Sequence, residues 1–94
     1  MKRYIIVTKR GREVLTTSPT LIADYKVALQ SLKRSVVHQL NNLNGINYTL
    51  NTYLDYVDYL DYYVERVGYD RYIIYSNFTD EVERIISIKQ ITIK

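Results

Sequence analysis

The apolar positions change period along the chain, and each change marks an element. Arg3 to Thr8 reads R-Y-I-I-V-T, rich in β-branched and aromatic residues, and predicts a strand. Lys9-Arg10-Gly11-Arg12 follows as a turn, with Gly11 free to take a positive φ. Glu13 to Thr17 returns as a second strand. At Ser18-Pro19 the period becomes helical, with Ser as N-cap and Pro as first helical residue. Leu21, Ile22, Tyr25, Ala28, Leu29, Leu32, Val36, Leu40 and Leu43 then share one stripe, and Lys26, Lys33, Arg34 and His38 lie off it. Asn41 to Gly45 carries the stop signal.

The next stretch is the densest in pattern. Residues 47–68 hold six of the eleven tyrosines, with Asp55, Asp58, Asp61 and Glu65 between them. Read as one strand, both faces mix aspartate with aliphatics. Read at about 100° per residue, Leu50, Tyr53, Val57, Leu60, Val64 and Val67 gather on one stripe, flanked by Tyr56 and Tyr63. The four carboxylates gather on another, edged by Tyr59 and Tyr62. Gly68 sits where a helix C′ glycine belongs. The expectation is a helix from about residue 49 to 67, antiparallel to the first. Its like-charge pairs at i,i+3 and i,i+4 each cost roughly 0.2–0.5 kcal/mol, so the acidic face needs water, a basic patch or a basic partner.

Tyr69 to Ser76 reads as a strand, Asn77 to Glu81 as a turn and Val82 to Lys94 as a long last strand. In that last strand the apolar set changes parity from Ile86 and Ile88 to Ile91 and Ile93, which a β-bulge near Lys89-Gln90 would accommodate. The expected fold class is α+β with order ββααββ: a two-layer sandwich, an antiparallel sheet of about four strands carrying an antiparallel helix pair on one face. Residues 1–94 make one domain, large enough for a core without staples.

Composition narrows the chemistry. There is no cysteine, so disulfides, thiolate metal sites and cysteine nucleophiles are excluded. No apolar run reaches transmembrane length and no signal peptide is visible, so the expected setting is the cytosol. The net charge of +3 is polarised. Residues 1–45 carry eight basic and two acidic side chains, while residues 46–94 carry five basic and eight acidic. Such polarity points to a charged partner or to assembly of the chain with itself, as a monomer in equilibrium with a weak homodimer. Abundant Ile, Tyr and Asn with scarce Ala, Gly and Pro is the bias of an A/T-rich genome.

No catalytic, metal or cofactor motif emerges. His38 is the only imidazole, and one histidine without cysteine builds no ordinary zinc site and has no triad partner in the sequence. The aspartates are not spaced as a calcium loop. No glycine-rich phosphate loop occurs. Cations Lys9, Arg10 and Arg12 at a hairpin tip can grip phosphates, though such a run is more often simply solvated.

The Asp/Tyr stretch at residues 53–65 of a small cysteine-free chain resembles the small phage inhibitors of bacterial nucleases, anti-CRISPR proteins among them. The resemblance implies a non-enzymatic protein from a phage or mobile element. Its partner is a basic nucleic-acid-handling host protein, a nuclease or its ribonucleoprotein. Asp55, Asp58, Asp61 and Glu65 would stand in for phosphates, with Tyr59 and Tyr62 as contact area. A second resemblance covers about 25 residues: Gly68-Tyr69-Asp70-Arg71-Tyr72-Ile73-Ile74-Tyr75, a turn and a strand look like the C-terminal half of RelE/ParE-type toxins. That implies a ribonuclease with Arg71, Arg84 and Lys89 as catalytic cations, although this chain opens with a hairpin rather than a single strand. A third class needs no resemblance: a small nucleic-acid-binding regulator using Lys9, Arg10, Arg12 and the first-helix cations.

Overall fold

A computed structural model of the chain describes residues 1–18, 20–45 and 61–93, and the backbone of 56–59. Six strands and one helix follow in the order β1 (Lys2–Arg10), β2 (Glu13–Thr17), α1 (Tyr25–Asn44), β3 (Tyr56–Tyr59), β4 (Tyr62–Arg66), β5 (Arg71–Ser76) and β6 (Val82–Thr92). They form one antiparallel sheet in the order β2-β1-β6-β5-β4-β3. The expected four-stranded ββααββ sandwich with a helix pair is therefore wrong: one described helix lies on a six-stranded sheet.

The error sits in the Tyr/Asp stretch. From residue 56 the chain is a hairpin, with Val57 opposite Val64, Asp58 opposite Tyr63 and Tyr59 opposite Tyr62; the part of the expected helix at 49–55 lies outside the described residues. The chain reverses between Tyr59 and Tyr62, so no single pleat runs through the window and a period-two test across it fails. Within β4 the alternation is clean: Val64 is fully buried, Tyr62 packs on the core, and Glu65 is exposed. Tyrosine favours strands and is only a middling helix former.

The helix also begins later than expected. Asp24, not Ser18, is the N-cap, accepting from the Lys26 N–H at 2.8 Å. Ser18 serves the sheet instead: its Oγ accepts from the Ile6 N–H at 3.0 Å. Gly45 closes the helix in the left-handed conformation at φ 68, as the sequence implies.

Ala28, Leu32, Val36 and Leu40 stand along one helix face at zero exposure. Leu32, Val36 and Leu40 form one cluster with Ile6 of β1, Ile86 of β6, Tyr72 and Ile74 of β5 and Val64 of β4. Burying each such aliphatic side chain contributes roughly 1.5–3 kcal/mol. The bulge expected at Lys89-Gln90 is elsewhere. Those residues pair regularly with Ile5 and Tyr4, and the register shifts at Thr8/Lys9 against β2 and at Ile74/Tyr75 against β6. The parity change in β6 is a change of face: Ile86 and Ile88 look to the helix, and Ile91 pairs with Arg3 on the other side.

Candidate functional site

Three hairpin turns line one end of the sheet. In sheet order they are β1–β2 with Arg10 and Arg12, β5–β6 with Asp80 and Glu81, and β3–β4 with Asp61. The two acidic turns are tied together, because the Asn77 N–H donates to the Asp61 carbonyl at 2.9 Å. The Asp61 N–H donates to Oδ1 of Asn44 at the helix end, 3.3 Å away. The Tyr63 hydroxyl donates to the Asp80 carboxylate at 3.1 Å, and the Tyr63 ring stacks on Tyr75 with centroids 4.8 Å apart. This end of the molecule is thus basic at one flank and acidic at the other.

On the basic flank a groove of about 760 Å³ runs between α1 and the β1–β2 edge. Its helix wall carries Ser31, Arg34, Ser35 and His38, and its strand wall includes Thr16 and Thr17. Among the described residues no carboxylate lines it, and Ile6, Ile22 and Val27 supply apolar surface. Arg34 and His38 are exposed, and a His38 ring nitrogen (Nε2) lies 3.3 Å from the Asn42 amide nitrogen. Arg10 and Arg12 stand at the tip next to it, exposed to solvent. Hydroxyls, an amide-backed imidazole and a guanidinium suit the oxygens of an anionic ligand.

The pleat divides the cations that the sequence groups together. Lys9 pairs with Ile85, across from the helix-facing row Thr8–Ile86, so it belongs to the face without the helix. Arg10 follows on the helix side, beside the groove. The groove's helix wall was legible as a polar stripe at Ser31, Ser35, His38 and Asn42, but charge alone does not draw attention to it.

The two acidic candidates whose side chains are described sit in different elements. Asp61 is exposed in a turn and Glu65 is exposed on β4, whereas Tyr62 is half-buried against the core. Asp58 and Tyr59 are described as backbone in β3, and Asp55 lies outside the described residues. The toxin-type cations do not converge either. Arg71 and Lys89 fall on the open face, while Arg84 lies opposite Ile74 on the helix face, its guanidinium donating to the Glu83 carbonyl at 2.7 Å. Among the described residues no three metal-ligating side chains cluster. Tyr25, against Tyr4 at 5.3 Å, has its hydroxyl pKa raised, first by burial and then by the charge of Asp70. No described helix is long and apolar enough to cross a membrane. Comparison with protein-family models, curated proteins and solved structures returns no match.

Proposed function

We propose that the protein is a non-enzymatic binding protein of the cytosol whose basic flank holds the phosphate backbone of a nucleic acid. The observation that carries the reading is the groove beside the β1–β2 tip, with Arg34 and His38 on one wall, threonines on the other and no carboxylate among its described lining residues. Arg10 and Arg12 extend the positive surface beyond it. Phosphate contacts from such groups are independent of sequence and release counterions, so affinity falls steeply with salt.

The test is fluorescence anisotropy with labelled single- and double-stranded oligonucleotides from 25 to 200 mM salt. Binding that weakens with salt, and by about tenfold or more in Arg34→Glu and Arg12→Glu, is expected. No binding at 25 mM salt, or binding indifferent to both reversals, overturns it.

A second reading rests on the acidic flank, where Asp61, Asp80 and Glu81 sit on two turns joined by a backbone hydrogen bond. There the chain would inhibit a basic nucleic-acid-handling protein by presenting carboxylates in place of phosphates. Capture of a nuclease that survives Arg34→Glu but is lost in Asp61→Lys/Glu65→Lys selects this reading over the first.

A further inference from the structure

The helix covers one face of the sheet, and among the described residues no second helix covers the other. That open face is not the polar surface expected of a solvated antiparallel sheet. Ile73 and Ile85, both half-buried, lie side by side at its centre, with half-buried Ile5 on β1 and Tyr75 on β5; Val7 on the same face is already buried within the chain. The registers of three successive strand pairs define a single row across it. Lys9 stands opposite Ile85, Ile85 opposite Ile73, and Ile73 opposite Glu65. From β1 to β4 the row therefore reads Lys–Ile–Ile–Glu, and both charged ends are exposed.

This row is self-complementary. A two-fold axis parallel to the strands, midway between β6 and β5, lays Lys9 of one copy over Glu65 of the next, and Ile85 over Ile73. We infer that the open face binds a second copy of this chain, giving a face-to-face dimer with a four-layer order of helix, sheet, sheet, helix. An isologous contact requires this kind of match, in which residue i meets j and j meets i. Aligned sheets pack about 10 Å apart and rotated by about 30°. Lys9 and Glu65 lie about 7 Å from the axis, so that rotation displaces them by about one residue, within reach of a lysine side chain. The chain's charge polarity has a purpose in this arrangement: each basic β1 flank covers an acidic β4 flank. The dimer does not depend on nucleic-acid binding, and Arg12 and Arg34 take no part in it.

Sedimentation equilibrium without nucleic acid tests the dimer. The expected species is twice the 11.2 kDa chain mass. Lys9→Glu and Glu65→Lys should each weaken association by about tenfold or more, and the double reversal should restore it, as for close charge pairs across an interface. Ile85→Lys should give monomers with an unchanged circular dichroism spectrum. Because Lys9 and Glu65 are exposed, their reversals test the contact even if Ile85→Lys fails to fold. A wild-type chain that stays at 11.2 kDa at hundreds of micromolar overturns the inference. So does a dimer that ignores both single reversals, since some other surface would then hold it.

Discussion

The two hairpins at the edges of the sheet are built by different means. β1–β2 is written locally: β-branched runs flank Gly11, which takes φ 61 in the turn, and β2 stands exposed along all five residues. β3–β4 has no glycine between its paired ends Tyr59 and Tyr62. It is fastened from outside, by Asn44 of the helix and Asn77 of the β5–β6 turn on either side of the Asp61 peptide, and by Val64 buried under the helix. One hairpin carries its instructions in its own sequence. The other needs the rest of the fold in place, which is why the first is recognisable from the chain alone and the second is not. The charge polarity of the turns follows the same division, basic on the self-sufficient edge and acidic on the dependent one.

The sharpest way to break this comparison is to make the same substitution in both hairpins. Val64→Ala removes two buried methyl groups and leaves a cavity under α1, at a cost of about 2 kcal/mol. Val14→Ala, on β2 at 51% exposure, should change stability by no more than about 0.5 kcal/mol. Urea denaturation measures both. Equal effects would mean that the edges are held alike, contrary to the packing.

The fold was legible where local signals agree with tertiary ones. β1, β2, the αL stop at Gly45, the Asn77–Glu81 turn and β6 all stand close to where period and turn chemistry put them. Helix α1 was found but begun too early, because Ser18 and Pro19 imitate a start while the Ser18 hydroxyl is engaged by Ile6. The Tyr/Asp stretch failed for a reason internal to the pattern: Y-L-D-Y-V-D-Y-L-D repeats at three, and three lies nearer the helical period than the pleat. Nothing in the spacing announces a reversal between Tyr59 and Tyr62. Of the candidate sites, the basic tip was visible as charge. The groove was not, because it arises only when the hydroxyls of β2 meet the polar side of α1.

A smaller effect separates local from external fastening. Gly11→Ala forces a β-carbon into the left-handed region and should cost about 1–2 kcal/mol, with the loss confined to β2 in hydrogen exchange. Asn44→Ala removes the bond to the Asp61 N–H and the 3.1 Å bond to the Leu40 carbonyl. The cost should be about 1 kcal/mol, but exchange should quicken at Asp61 and Asn77 together, since one turn leans on the other. If only the helix end loosened, the fastening of β3–β4 would have to lie elsewhere.

The least perturbing change is at the acidic tip. Asp80 holds φ 57, a conformation that aspartate tolerates better than most residues, and its carboxylate accepts the Tyr63 hydroxyl. Tyr63→Phe deletes that bond and keeps the ring on Tyr75. The bond is exposed, so the loss should be small, about 0.5 kcal/mol. Its value is in what it discriminates. Should the Asp80 turn be shaped by the bond to Tyr63, the variant will show faster exchange at Asp80, whose N–H donates to the Ser76 carbonyl at 2.9 Å. Should the turn be set by the β5–β6 reversal alone, exchange at Asp80 will be unchanged and only the Tyr63 side chain will gain freedom. The first outcome extends external fastening from β3–β4 to its neighbour; the second confines it to the hairpin that the sequence conceals.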